Sequence, residues 1–244
     1  MQAPGAVLST RHMGDDSKTK SGGGCLSKLV LLFLLVVVSG LGTAVFFVAR
    51  PQDLSDVGGY GPSAAKRSPR DLKVVLQNSI SRGYAVTLSE AEINQWLASV
   101  LTTKQGGALG GQISLDRVWV RLLDGHAEVI MERSIMGKPF TVSMFLRPEQ
   151  LQGLKGVENN VHLDGGPYHA DVPYPPRGGR FGRLVVPQGF LILVKPAYEK
   201  LAALFRDEIR LAFEEMSRVK IEKNSLVLDP RDPQDGVMKL PMTF

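Results

Sequence analysis

The chain has 244 residues, 43% of them hydrophobic, with one cysteine and a net charge of +5. Residues 1–50 hold five Lys/Arg and two Asp/Glu, which makes +3, so only +2 remains for residues 51–244. A main domain so close to neutral excludes a nucleic-acid footprint, and the lone Cys25 excludes an intrachain disulfide framework.

Residues 1–28 are rich in Gly, Ser, Thr and charge and lack apolar periodicity, so they read as a disordered tail. Residues 29–49 (LVLLFLLVVVSGLGTAVFFVA) carry no charge and are flanked by Lys28 and Arg50. As a helix such a run rises about 31 Å, close to the hydrocarbon thickness of a bilayer. The alternative is a cleaved signal peptide, cut after Gly42-Thr43-Ala44. The run is longer than a signal core and continues through Val45-Phe46-Phe47-Val48, which favours an uncleaved single-pass anchor. The basic cluster Arg11, Lys18, Lys20 and Lys28 is answered by Arg50, Lys66, Arg67 and Arg70 on the other flank, so it is the short tail and the folded mass after the run that favour a cytoplasmic tail and a main domain outside, at a plasma or inner membrane. Cys25 precedes the apolar run and so is not a lipoprotein cysteine.

Residues 50–67 mix Pro, Gly, Ser and charge and read as a linker. The domain is expected over residues 68–228. Ser68-Pro69 has the form of a helix start, Leu72, Val75, Leu76 and Ile80 share one face, and Gly83 suits the C-cap. In TLSEAEINQWLASVL, Ser89 and Glu92 have capping-box spacing, with Leu88 and Ile93 as the hydrophobic staple. Ile93, Trp96, Leu97, Val100 and Leu101 form the apolar stripe. Glu90 and Glu92 could be offered as a catalytic carboxylate pair, but capping explains Glu92, and the helix dipole suits Glu90.

After the glycines at 106–111 the apolar period changes to two. Val118, Val120 and Leu122 alternate with Arg117, Trp119 and Arg121, and Asp124-Gly125 marks a hairpin. Ala127, Val129 and Met131 return, Gly137-Lys138 turns again, and Phe140, Val142, Met144 and Leu146 complete a three-stranded antiparallel meander with one apolar and one mostly polar face. Residues 148–187 contain His162-Leu-Asp164 and His169-Ala-Asp171, which alternation on an exposed strand explains as well as metal ligation does. Arg177, Arg180 and Arg183 lie among glycines, an RGG-like run that is weak evidence for RNA and fits a flexible basic loop facing anionic lipid head groups at least as well. Residues 187–216 carry a helical stripe of Val194, Tyr198, Leu201, Phe205, Ile209, Ala212 and Met216, with Pro196 expected to kink or restart the helix. Asp207/Arg210 and Glu214/Arg218 have ion-pair spacing on the helix surface. Val219-Lys-Ile221 and Leu226-Val-Leu228 form a closing hairpin around Lys223-Asn224, and residues 229–244 read as a tail.

The fold class is therefore α+β: one N-terminal transmembrane helix, then a curved antiparallel sheet packed on a long C-terminal amphipathic helix. The order of elements, with TLSEAEINQWL, the Gly137-Lys138-Pro139 turn and Gly182-Arg183-Leu184-Val185-Val186-Pro187, resembles the uncharacterised YpmS-like membrane proteins of bacteria over about residues 70–228. More loosely it is similar to envelope proteins of the tubular lipid-binding (TULIP, BPI-like) superfamily. The resemblance supplies no catalytic residues and implies an apolar groove for a lipid or acyl chain. Its candidate contacts are Val118, Val120, Leu122, Val129, Met131, Phe140, Val142, Met144, Leu201, Phe205 and Ile209. The competing reading is an envelope scaffold, a protein-interaction domain whose core is full. An enzyme is disfavoured: the sequence lacks a nucleophile elbow, a metal-ligand cluster beyond the doubled His-x-Asp and a phosphate-binding glycine loop, and no cofactor is expected.

Overall fold

The structure is a computed structural model that describes residues 24–61, 69–104, 115–135, 137–153 and 156–231. The chain divides into two compact units that meet between Thr43 and Ala44. The expected glycine loop at 106–111 and most of the expected tails lie outside the described residues.

Helix α1 (Gly24–Val48) contains a 23-residue span from Leu26 to Val48 that is long and apolar enough to cross a membrane. Its side chains make no core of their own; Leu26 to Leu41 present bulky apolar groups outward. A helix with every backbone group paired internally and an apolar surface is stable in lipid and costly in water. Near its end the Arg50 guanidinium lies 4.1 Å from the centre of the Phe46 ring, a pairing suited to the head-group level of a bilayer.

The second unit is α+β. Helix α2 (Leu72–Arg82) starts at Asp71, whose carboxylate accepts from Lys73 N at 3.0 Å and Val74 N at 3.5 Å. The Ser68-Pro69 start is thus corrected by three residues: aspartate caps as well as serine does, and Asp71 stands directly before the first buried position, Leu72. Gly83 closes the helix with φ +62°, as its sequence position suggests. Strand β1 (Val86–Ser89) runs into α3 (Glu90–Lys104), and here the capping box forms as expected. Ser89 N donates to Glu92 Oε2 at 3.0 Å and Glu92 N donates to Ser89 Oγ at 3.3 Å. Burial pushes the Glu92 carboxyl up, but the Ser89 N–H, the Ser89 hydroxyl and Arg70 outweigh it and hold it below the ordinary value. Ser89→Ala is expected to lower stability by about 1 kcal/mol, read as a shifted denaturation midpoint with an unchanged slope.

Strands β2 (Leu115–Leu123), β3 (His126–Ile135) and β4 (Lys138–Gly153) form the expected meander, with Val118 opposite Met131 and Met131 opposite Val142. Gly125 and Gly137 take φ +76° and +75° in its two turns. Strand β4 then serves two further partners. Its middle pairs with β7 (Val172–Phe181), and its distal half pairs with β5 (Gly156–Leu163). With β6 (Pro167–His169) and β8 (Leu184–Pro187) attached to β7, the sheet has seven strands. A second sheet has the order β1-β10-β9, from β9 (Arg218–Glu222) and β10 (Ser225–Asp229).

The long helix expected over 187–216 is three pieces: a 3-10 turn (Gln188–Leu193), α4 (Lys195–Leu204) and α5 (Arg206–Phe213). Pro196 restarts the helix, as its missing N–H requires. The second break falls at Phe205 (φ −113°, ψ 25°), whose ring packs 5.5 Å from Trp96. This break shifts the helical phase. Leu211 takes the buried position in α5, and Ile209 turns outward at 41% exposure, away from the core where the stripe had placed it. The expected helix-surface pair Glu214/Arg218 is replaced, and Asp207 gains a partner from another helix. Asp207 pairs with Lys73 of α2 at 2.8 Å, and Arg218 lies on β9 and pairs with Asp229 at 3.0 Å.

Asp229 is likewise no tail residue. It ends β10, is buried, and accepts from Arg218 and from Arg231. The Arg231 guanidinium holds its pKa at about 2, below the ordinary 3.8. A depressed carboxyl stabilises the fold above its unfolded pKa, and that contribution disappears as pH falls from about 4 to about 2. With both arginines half exposed, the amount at stake is about 1–2 kcal/mol, and Asp229→Asn should remove this part of the acid dependence in a pH-resolved melt.

Candidate functional site

The inner face of the meander carries most of the residues expected to meet a ligand. Val118, Met131, Val142 and Met144 are buried in one cluster with Leu201, Phe205 and Tyr198, and Val120, Val129 and Phe140 pack against it. Leu122 departs from this set: it packs with Ala127 and Ile221 under the second sheet. The helical layer also touches the sheet through a polar group. The Tyr198 hydroxyl lies 3.0 Å from Val129 O and 3.0 Å from Val142 O, so its single proton is shared between two strand carbonyls. Burial, with the Glu128 charge adding to it, holds this hydroxyl well above the usual tyrosine pKa, which keeps it a donor.

The outer face is not a solvated polar face. Trp119, Arg121, Glu128, Ile130, Thr141, Ser143 and Phe145 are all buried. Residues 51–60, expected to be a linker, cover Trp119, Arg121, Ile130 and Thr141, while Phe145 lies against Gly165, Arg177 and Arg180. Leu54 and Val57 form a cluster with Trp119 and Ile130, Tyr60 meets Trp119 edge-on at 5.2 Å, and Gln52 N donates to Thr141 Oγ1 at 2.9 Å. Gly58 and Gly59 serve tight packing instead of freedom: a Cβ on either would come within 3.1 Å of α3 backbone.

Under this strap lies a charged cluster. Glu128 has no exposed side-chain surface; it accepts from Arg121 Nη1 at 2.6 Å and Ser143 Oγ at 2.5 Å, with Arg180 Nε at 3.3 Å. Arg121 also donates to Asp53 O at 2.9 Å and Asp56 Oδ1 at 2.8 Å. Two cations around one buried carboxylate, one of them completed from the strap, amount to a charge-balanced staple. Its visible trace in the sequence is a pair of opposite charges, Arg121 and Glu128, at facing positions of β2 and β3.

Glu90 and Asn94 make a second structure that sequence reasoning missed. Strand β2 is the sheet's edge, and its free backbone groups must be satisfied. Glu90 accepts from Leu122 N at 2.5 Å and from Gly58 N at 2.6 Å. Asn94, one helical turn on, donates to Val120 O and Gly58 O and accepts from Val120 N, all within 2.8 Å. The dipole role assigned to Glu90 is therefore incomplete. Its carboxylate joins edge strand, helix and strap.

The remaining candidates are scattered. His162 pairs with Glu149 at 2.7 Å; Asp164 accepts from Gly166 N at 2.7 Å and pairs with Arg147. His169 and Asp171 lie at the β6–β7 turn. Among the described residues, no three His, Cys, Asp or Glu gather as metal ligands. Arg177 and Arg180 are on strand β7, with guanidiniums 5.9 and 5.6 Å from the Phe145 ring centre, so the flexible basic loop is corrected for both. Arg183 sits in the β7–β8 turn and donates to Phe47 O and Pro51 O.

The β6–β7 ribbon stands out from the packed layers. All residues from 167 to 175 are exposed, forming a two-stranded ribbon that carries Tyr168, Val172 and, at 77% exposure, Tyr174. Compared with protein-family models, curated proteins and solved structures, the chain matches none. The site must therefore be read from its own chemistry. Tyrosine is stiff and brings a large contact area at low entropic cost, which suits it to protein interfaces.

Proposed function

We propose that this chain is a single-pass, membrane-anchored, non-catalytic interaction domain of the cell envelope, with residues 1–28 in the cytoplasm and the α+β domain outside. It acts as a scaffold with a filled core, and the β6–β7 ribbon is its contact surface for a protein partner. The observation that carries this reading is the ribbon itself: nine consecutive exposed residues that include Tyr168, Val172 and Tyr174. Isolated exposed apolar residues are ordinary, whereas a projecting aromatic strand pair is a partner surface or a liability.

The rival reading, an acyl chain between sheet and helix, is weakened by Tyr198, which spans the two layers and bonds directly to β3 and β4. Val142→Trp discriminates between the two. In a filled core the added bulk should cost about 1–3 kcal/mol, and added fatty acid should not move the thermal midpoint. In the same experiment Tyr168→Ser with Tyr174→Ser should leave the midpoint unchanged while abolishing photo-crosslinking of an envelope protein to position 172. A Val142→Trp variant of wild-type stability, with lipid raising the wild-type midpoint, would reverse the assignment.

A further inference from the structure

A 3-10 turn separates β8 from α4. It buries Leu191 and holds Phe190, Ile192 and Leu193 out at 56%, 73% and 75% exposure. The projection is built. Leu191 packs in the main core, Gln188 Nε2 donates to Leu163 O, and Val194 N donates to Leu191 O at 3.0 Å. A side chain at Gly178 would strike the Gln188 backbone at 2.6 Å, so β7 and the turn approach at contact distance. Three large apolar groups are thus presented by a braced backbone, at a cost in water that a partner phase must offset.

The sequence neighbourhood names that phase. The turn follows β8 (Leu184–Pro187), which begins beside Arg183. Arg183 N donates to Phe47 O at 3.0 Å and its Nε to Pro51 O at 3.1 Å, fastening the β7–β8 turn to the end of the apolar helix. Four strand residues and six of 3-10 helix then span at most about 25 Å, so the projecting residues stay within that distance of where the chain leaves the bilayer. Arg183 before the segment and Lys195 after it are exposed cations, with Glu199 at 3.7 Å from Lys195 partly offsetting the second. Bulky apolar side chains bracketed by cations are the composition that settles at a lipid interface.

We propose that Phe190, Ile192 and Leu193 insert into the head-group region of the membrane that holds α1, giving the domain a second point of attachment and a fixed orientation on the lipid surface. This rests on the anchored reading of the chain, and the test separates the two. The full chain with Cys25→Ser and Ile192→Cys is labelled with an environment-sensitive fluorophore in detergent and reconstituted into phosphatidylcholine/phosphatidylglycerol vesicles. A matched Tyr174→Cys chain serves as reference. Retention after alkaline carbonate extraction reports the anchor alone. Lipids brominated near the head group should then quench the label at 192 about twofold or more and leave the label at 174 unchanged. Adding Phe190→Ser and Leu193→Ser should abolish the quenching without moving the melting point. Equal, unquenched emission from both sites in carbonate-resistant vesicles overturns the proposal. So does a change at 192 that follows protein density and ignores bromine, which would indicate a second copy. Loss of the chain on carbonate extraction overturns the anchor, and the proposal with it.

Discussion

Glu128→Ala should be the most damaging single substitution in the domain, lowering stability by about 3–5 kcal/mol. Glu128 is fully enclosed, and its removal leaves the Arg121 guanidinium under the strap with only Asp56 and a carbonyl as partners. Ser143 loses its acceptor and Arg180 its ion-pair partner at the same stroke. A buried cation without its anion bears the full desolvation penalty, whereas replacing the whole set by apolar side chains removes the penalty along with the attraction. Glu128→Ala with Arg121→Met should therefore recover much of the loss. Chemical denaturation of the full chain in nanodiscs measures both, and equal damage in single and double variants would refute the staple. The strap adds a second signature: Asp56→Ala, at an exposed side chain, should cost well under 1 kcal/mol.

The second large effect is expected at Glu90. Glu90→Ala leaves two N–H groups, Leu122 and Gly58, without their acceptor at the sheet edge, at about 1–3 kcal/mol each. Glu90→Gln is the sharper test. An amide has a single oxygen acceptor, so one of the two N–H groups must face an NH2, and the loss should be about half that of Glu90→Ala. The same variants should speed amide hydrogen exchange at Leu122 and Gly58 and leave Ser89 protected, since the capping box does not involve Glu90. Exchange that spreads evenly through α3 instead would mean that Glu90 supports the helix start. Opening this edge also frees a strand for pairing with other chains, so aggregation should rise with the loss of stability.

Much of this architecture was legible from local chemistry. The apolar run that became α1, the Ser89/Glu92 capping box, the Asp124-Gly125 turn and the inward residues Val118, Met131, Val142 and Met144 each follow from interactions within a few residues or from strict alternation. Capping, turn type and periodicity are short-range, so they are written where they act. What only the tertiary structure decided is the identity of whatever covers a surface. Trp119, Arg121, Glu128 and Ile130 look like an outer face until residues 51–60 are folded over them, and that segment's Gly- and Pro-rich composition carries no periodic signal of its own. Glu90 reads as a helix-dipole carboxylate until β2 proves to be the edge it must satisfy. Ile209 belongs to a continuous stripe until the break at Phe205 turns the following helix, because a phase shift at one residue is set by what that ring packs on, here Trp96. Contacts between segments far apart in the chain depend on both partners at once, and neither segment carries the information alone.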